Sequence, residues 1–319
     1  MINFKYAVSA LALVVGSSAG GALAQDYPSQ PIHVVVPFAA GGGGDFVTRA
    51  WSDKMSEALG QPIVVENRPG GSTIVGTEYV ASAEADGYTY LVVNPNFVTN
   101  RYMNETPYDA AEDFKPVGLF VTYPMGLAVR DDLEAETVSE LISYAQENPG
   151  TLNYGSSGQG STSHLASLLF LDQTGIEMQH VPYNGAGPAI ADLAAGTIDM
   201  FFTGLSQSVP HVESGRVRLL AVSSADRIES YPDLPAISEE AGDGYEALVW
   251  WGIVAPDGTP DEHIETFQAA LAEVMTDPEV QERYEVLDGD TTVTNPTEFS
   301  QFIDNEATKW SRIIDAAGL

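Results

Sequence analysis

Short apolar runs alternate along this chain with segments whose apolar residues recur every three to four positions, the pattern of parallel α/β layers. "PIHVVVPF", residues 31–38, reads as a buried strand. Phe46, Val47, Ala50, Trp51, Met55 and Leu59 then mark the inward face of a helix that Asp45 caps and Gly60 ends. "PIVVEN" is the next strand, "RPGGS" a loop, and a helix runs from about Thr73 to Ala83. After the Asp86-Gly87 turn, "YTYLVVN" is a third strand.

The middle of the chain repeats this grammar. Thr137 and Glu140 are spaced as a capping box for a helix ending at Asn148-Pro149. "TLNYG" is a strand, "GSSGQGSTS" a loop, and "HLASLLFLDQT" a helix closed by Gly175. "MQHVPY" is followed by the loop "NGAGP", with Pro188 suited to the first turn of a short helix ending at Gly196. "IDMFFTG", "RVRLLAVSS" and "ALVWWGIVAP" complete the strands. Three helices finish the chain, each opened by a proline, at Pro260, Pro278 and Pro296.

Three glycine loops share one position: "PFAAGGGGD", "YGSSGQGSTS" and "PYNGAGP" each leave the carboxyl end of a strand and feed the start of a helix. In open α/β sheets ligands bind at such ends. Glycine lets a ligand approach the backbone, and the first-turn amides with the helix dipole favour an anion. The plainer alternative is that each glycine only makes a tight turn; three loops in one position favour an anion cradle.

Other chemistries lack parts. The dinucleotide pattern G-x-G-x-x-G fails at the first loop, although Glu66 ends the second strand where a ribose-binding acid would sit. No P-loop lysine pattern exists, and "GLSQS" misses a nucleophile elbow by its last residue. His164 sits among Ser161, Thr162 and Ser163, either as a ligand donor or as a packing residue, while His33, His180, His211 and His263 show no metal-site spacing. Neither a metal nor a cofactor is expected.

The length of 319 residues and 44% hydrophobic content fit two domains. Residues 1–24 carry Lys5, an apolar run and an Ala22-Leu23-Ala24 end, read as an export signal cleaved before Gln25. The absence of cysteine excludes disulfides and thiol chemistry. A formal charge of −32 excludes nucleic acid as a partner and is also compatible with a saline habitat.

"PIHVVVPFAAGGGGDFVTR", "LGQPIVVENRPGGSTIVGTEYVASAEADGYTYLV", "LNYGSSGQGSTSHLA", "HVPYNGAGPAIADLAAGTIDMFF" and "GIVAPDGTP" resemble the Bug family, the extracytoplasmic receptors of tripartite tricarboxylate transporters. The resemblance runs from residue 28 to the end. It implies a type II periplasmic-binding-protein fold with a ligand cleft between two α/β domains, residues 25–123 with 250–319 and residues 124–249. It further implies a periplasmic monomer that binds a small organic anion, a di- or tricarboxylate or an aromatic acid, for membrane permease subunits. The alternatives are a periplasmic hydrolase or dinucleotide enzyme, or a sensor for a signalling receptor.

Carried onto this chain, the resemblance places Phe38, Ala40, Gly41 and Gly42 at the ligand, with Asp45 capping the helix behind them. The facing domain contributes Ser156, Ser157, Ser161, Thr162, Asn184, Gly185 and Ala186, while Asn94, Asn96 and Thr203 sort the ligand's far end. Arg68 and His164 are further candidates; Arg49 is expected in a surface ion pair ahead of pairing with a ligand carboxylate, and Trp250 and Trp251 in hinge packing ahead of lining a pocket for an aromatic acid. Family loops often carry a second proline where this chain has Ala39-Ala40.

Overall fold

A computed structural model of the chain describes residues 27–319, so the export-signal reading of residues 1–24 lies outside it. Among the described residues nine strands form one sheet: eight follow the path β2-β1-β3-β9-β4-β7-β5-β6, and β8 lies off it, paired to β4. In the first group β1 (Ile32–Val36) lies parallel to β2 (Ile63–Asn67) and β3 (Thr89–Val93), and β9 (Leu248–Pro256) runs antiparallel to β3. In the second, β5 (Asn153–Ser156) is parallel to β6 (Gln179–Pro182) and β7 (Met200–Gly204), and β8 (Val217–Val222) pairs with β4.

Strand β4 (Phe114–Arg130) joins the groups. Residues 114–124 pair with β9, and residues 125–130 pair with β7 and β8. The second chain crossing lies beside it, where Ala247 donates to Ser223 O and Leu248 stands opposite Pro124. Sequence reading does not see β4, because prolines argue against an interior strand. Here Pro116 sits at a register irregularity and Pro124 where β4 changes partners, so neither breaks a regular ladder.

Helices cover both faces. α1 (Gly43–Leu59), α2 (Ile74–Ala81) and α3 (Pro95–Met103) belong to the first group. α4 (Val138–Glu147), α5 (Thr162–Thr174), α6 (Ala186–Ala194), α7 (Leu205–Glu213) and α8 (Ser238–Ala241) follow in the second. α9 (Asp261–Val274), α10 (Pro278–Tyr284) and α11 (Pro296–Ala316) end the chain. Trp310, Ile313 and Ile314 of α11 share one core with Leu165 and Leu169 of α5, so this helix packs across both groups. Its buried Glu306 accepts the indole N–H groups of Trp250 at 2.8 Å and Trp310 at 2.7 Å. No helix among the described residues is long and apolar enough to cross a membrane.

Several local expectations change. Asp45 does not cap α1: the extended Gly42 precedes the helix, and Gly43 and Gly44 are already helical. Asp45 lies in the first turn and reaches back, its Oδ2 accepting the Gly41 amide at 2.9 Å and its Oδ1 accepting Arg49 Nε at 2.8 Å. Burial pushes its carboxyl up, but the Gly41 amide, Asn67 and Arg49 outweigh that and hold it below its usual value. The Thr137 box is half formed, since Glu140 reaches the amide of Glu136 instead; the Asn295 and Glu298 box is complete.

Candidate functional site

A cleft of about 1090 Å³ opens between the two strand groups. The sequence-expected residues Phe38, Gly41, Gly42, Asn94, Asn96, Ser157, Ser161, Thr162, Asn184, Gly185 and Ala186 all line it. Residues separated by more than a hundred positions meet here because both groups turn the carboxyl ends of their parallel strands toward one gap.

The lining includes no Asp, Glu, His, Lys or Arg. Its donors are backbone amides at helix starts. Gly43 and Gly44 open α1, Thr162 and Ser163 open α5, and Ala186 and Gly187 open α6. None of these amides has a partner among the described residues. By contrast, the Gly41, Gly42 and Gly185 amides are spent internally, on Asp45 Oδ2, Ala39 O (3.1 Å) and Ser157 O (3.1 Å). In the first loop the free donors are therefore Gly43 and Gly44 instead of the expected Gly41 and Gly42, whereas the expected Thr162 and Ala186 keep theirs and Gly185 does not. The free amides carry the positive ends of helix dipoles, each equivalent to about half an elementary charge.

Hydroxyls frame the second wall. Ser163 Oγ accepts the Ser157 amide at 2.9 Å, and Ser161 Oγ accepts the His164 amide at 3.3 Å. Asn94 Oδ1 caps α3 through the Asn96 amide at 3.1 Å, and Asn96 Nδ2 donates to Gly160 O at 3.3 Å, linking α3 to the α5 loop.

Other sequence candidates sit elsewhere. Ser156 is fully buried beneath the loop, with Oγ 2.7 Å from His180 Nε2. His164 is also buried; its Nδ1 accepts the Gly160 amide at 3.1 Å and its ring stacks on His180, centroids 4.1 Å apart. That hydrogen bond requires a neutral ring protonated on Nε2, and burial followed by the neighbouring His180 push its pKa down to about 3. The basic nitrogen of His164 is committed to holding the loop, so His164 has no free base to offer a ligand. Thr203 is buried in β7, behind the cleft-lining Gln207. Ala40 is exposed outside the lining.

Arg68 pairs with Glu66 at 2.9 Å, covers the Tyr79 ring at 3.6 Å and lines a separate surface groove with His33. Arg49 pairs with Asp45 as expected. The tandem tryptophans divide: Trp250 faces Glu306 and the core, whereas Trp251 lines the cleft.

Sequence reasoning missed the turn before α2. Ser72 and Thr73 line the cleft with φ of 54° and 83°, unusual for side chains other than glycine and costly for a β-branched one. Buried Asn100 holds them, Nδ2 donating to Ser72 O at 2.8 Å and to Thr73 Oγ1 at 3.2 Å. "RPGGS" occupies the same strand-to-helix position as the other glycine loops, and that was the available signal. Tyr123, Gln207, Val286 and Leu287 carried none.

The chain and its fold are similar to those of known receptors. The family model described as tripartite tricarboxylate transporter family receptor matches residues 47–319. A Rhodopseudomonas palustris structure described as Rpa4515 with adipate is 35% identical with a TM-score of 0.82, covering 92% of this chain and 99% of that one. The periplasmic binding protein BugD is 32% identical with a TM-score of 0.78, over 92% and 99% of the two chains. MatC from the same Rhodopseudomonas, with bound malate, is 29% identical with a TM-score of 0.78, over 90% and 100%. Neutral walls, amide donors at three helix starts and a match through nearly the whole chain lead to one assignment: this protein belongs to the Bug family of tripartite tricarboxylate transporter receptors.

Proposed function

We propose that the protein is a periplasmic receptor that captures a small organic carboxylate and presents it to the permease of a tripartite tricarboxylate transporter. The observation that carries this reading is the set of unpartnered amides at the starts of α1, α5 and α6, all on one cleft without a cationic side chain. A carboxylate accepts several such hydrogen bonds at once, and charge-assisted bonds are about twice as strong as neutral ones. A neutral sugar would use the dipoles less, and a cation would be repelled by them. Adipate in one relative and malate in another support the same ligand class.

The two lobes in this reading are residues 25–123 with 250–319, and residues 124–249. The hinge comprises the crossings near Pro124 and Leu248, with α11 as a brace. Closure brings the α1 amides toward those of α5 and α6 and so couples ligand capture to a shape the permease can distinguish. The receptor acts as an exported monomer.

Isothermal calorimetry and thermal shift against carboxylates, neutral sugars and amines test the proposal. A carboxylate at a hundred times its Kd stabilises the folded state by about 2.7 kcal/mol and raises Tm measurably. Binding confined to sugars or amines overturns it. Small-angle scattering should show compaction with the ligand; an unchanged profile at saturation removes the hinge from the account.

A further inference from the structure

The carboxylate reading leaves open what the rest of the ligand looks like, and one wall of the cleft speaks to it. We infer that the receptor selects carboxylates with an apolar, ring-sized body over small polyanions, with Trp251, Phe46 and Val286 as specificity-determining residues. This inference rests on the carboxylate reading above.

The wall is continuous from the anion cradle outward. A Cβ built on Gly43 would lie 3.5 Å from Trp251 Cζ2, and one on Gly44 would lie 2.9 Å from Cζ3, so the free α1 amides adjoin the carbon edge of the indole. Its N–H is already engaged, donating to Tyr123 Oη at 3.3 Å. Tyr123 in turn abuts Gly289, where an added Cβ would be 2.8 Å from the tyrosine Cβ. Two bonds between Thr122 and Asp290, at 2.9 and 2.8 Å, hold this segment against β4. The 3-10 turn Glu285–Leu287 is thereby fixed beside the cleft, with Val286 and Leu287 in the lining.

Two observations make this wall a recognition surface. Val286 is 54% exposed and Phe46 41%, and they are among only six large apolar side chains exposed in the described residues. Both lie on this one cleft, where a ligand would cover them. Beyond the cradle amides, a second carboxylate laid along the side chains of Trp251, Phe46 and Val286 meets carbon instead of helix-start amides, with no cation in the lining to replace them. Its desolvation would be poorly compensated, whereas an aromatic or branched body gains from burial.

Calorimetry on the full protein with benzoate, phenylacetate and 3-phenylpropionate, against L-malate, citrate and adipate, decides the matter. The best aromatic acid is expected to bind at least tenfold tighter than any of the three polyanions, with a negative heat-capacity change. Val286→Lys, at an exposed site that folding tolerates, supplies the missing cation and should shift the adipate to 3-phenylpropionate affinity ratio at least fivefold toward adipate. Polyanions binding as tightly as the aromatic acids, or a folded V286K protein with an unchanged ratio, overturn the inference and leave the carboxylate reading standing. Failure of every carboxylate to bind defeats that reading and this inference with it.

Discussion

Replacing Asn100 by alanine tests how the cleft is held open to its ligand. The side chain is 2% exposed and makes three hydrogen bonds: to Ser72 O at 2.8 Å, to Thr73 Oγ1 at 3.2 Å, and from Asn104 Nδ2 at 3.1 Å. At roughly 1 kcal/mol net each, their loss costs about 3 kcal/mol. The turn they hold is itself unfavourable, since each left-handed residue other than glycine costs about 1–2 kcal/mol. Without Asn100 the turn can relax and recover part of that strain. The expected net destabilisation is therefore about 1–2 kcal/mol in urea unfolding, with a five- to tenfold loss of carboxylate affinity because residues 72 and 73 leave the wall. Thr73→Gly removes strain at φ 83°, so it should be nearly neutral alone and should recover stability in the double variant without recovering affinity. An Asn100→Ala protein within 0.5 kcal/mol of the parent and equal in affinity refutes the reasoning.

Gly44→Ala sets helix propensity against space. Alanine gains about 1 kcal/mol in a helix, but its Cβ would meet Phe38 Cδ2 at 2.8 Å and Trp251 Cζ3 at 2.9 Å, and overpacking costs about 1–3 kcal/mol. Calorimetry should show at least a tenfold weaker carboxylate complex as the Gly43 and Gly44 amides shift, with Tm changing by a few degrees at most; unchanged affinity would show that these amides do not touch the ligand. His164 supplies a pH test. Its folded pKa, about 3, lies below the ordinary value near 6.5, so between these values the unfolded chain binds the proton more readily. Stability is full above about pH 6.5 and falls as pH drops, with a slope approaching about 1.4 kcal/mol per pH unit from this group. Burial lowers His180 as well, so His164→Gln should flatten but not abolish the slope between pH 5 and 6.5 in urea unfolding. Equal slopes for the two proteins in that window would remove His164 as the source.

Much of the fold was legible because local signals and global layout agree. The runs of Val34 to Val36 and Leu91 to Val93, the left-handed stops at Gly60 and Gly175, and the Asn295 and Glu298 capping box are written in neighbouring residues. The three glycine loops were legible for the same reason, and the family resemblance rested on them. Strand β4 was not, because its two prolines are tolerated only where pairing becomes irregular or changes partner. Nor was the choice between Trp250 and Trp251, since adjacent strand residues point to opposite faces and only the assembled sheet says which face meets the cleft.

The sequence alone determined that anion-binding turns would follow strands and open helices, because glycine spacing and helix starts are local properties. Tertiary structure decided which amides stayed free, since Asp45 takes the Gly41 amide and Ser157 the Gly185 amide only once the loops are folded. It also decided that Asn100 restrains a turn 27 residues away and that Val286 lines the same cleft as the helix start at Gly43. Such pairings depend on how distant segments pack, and short-range periodicity carries no record of them.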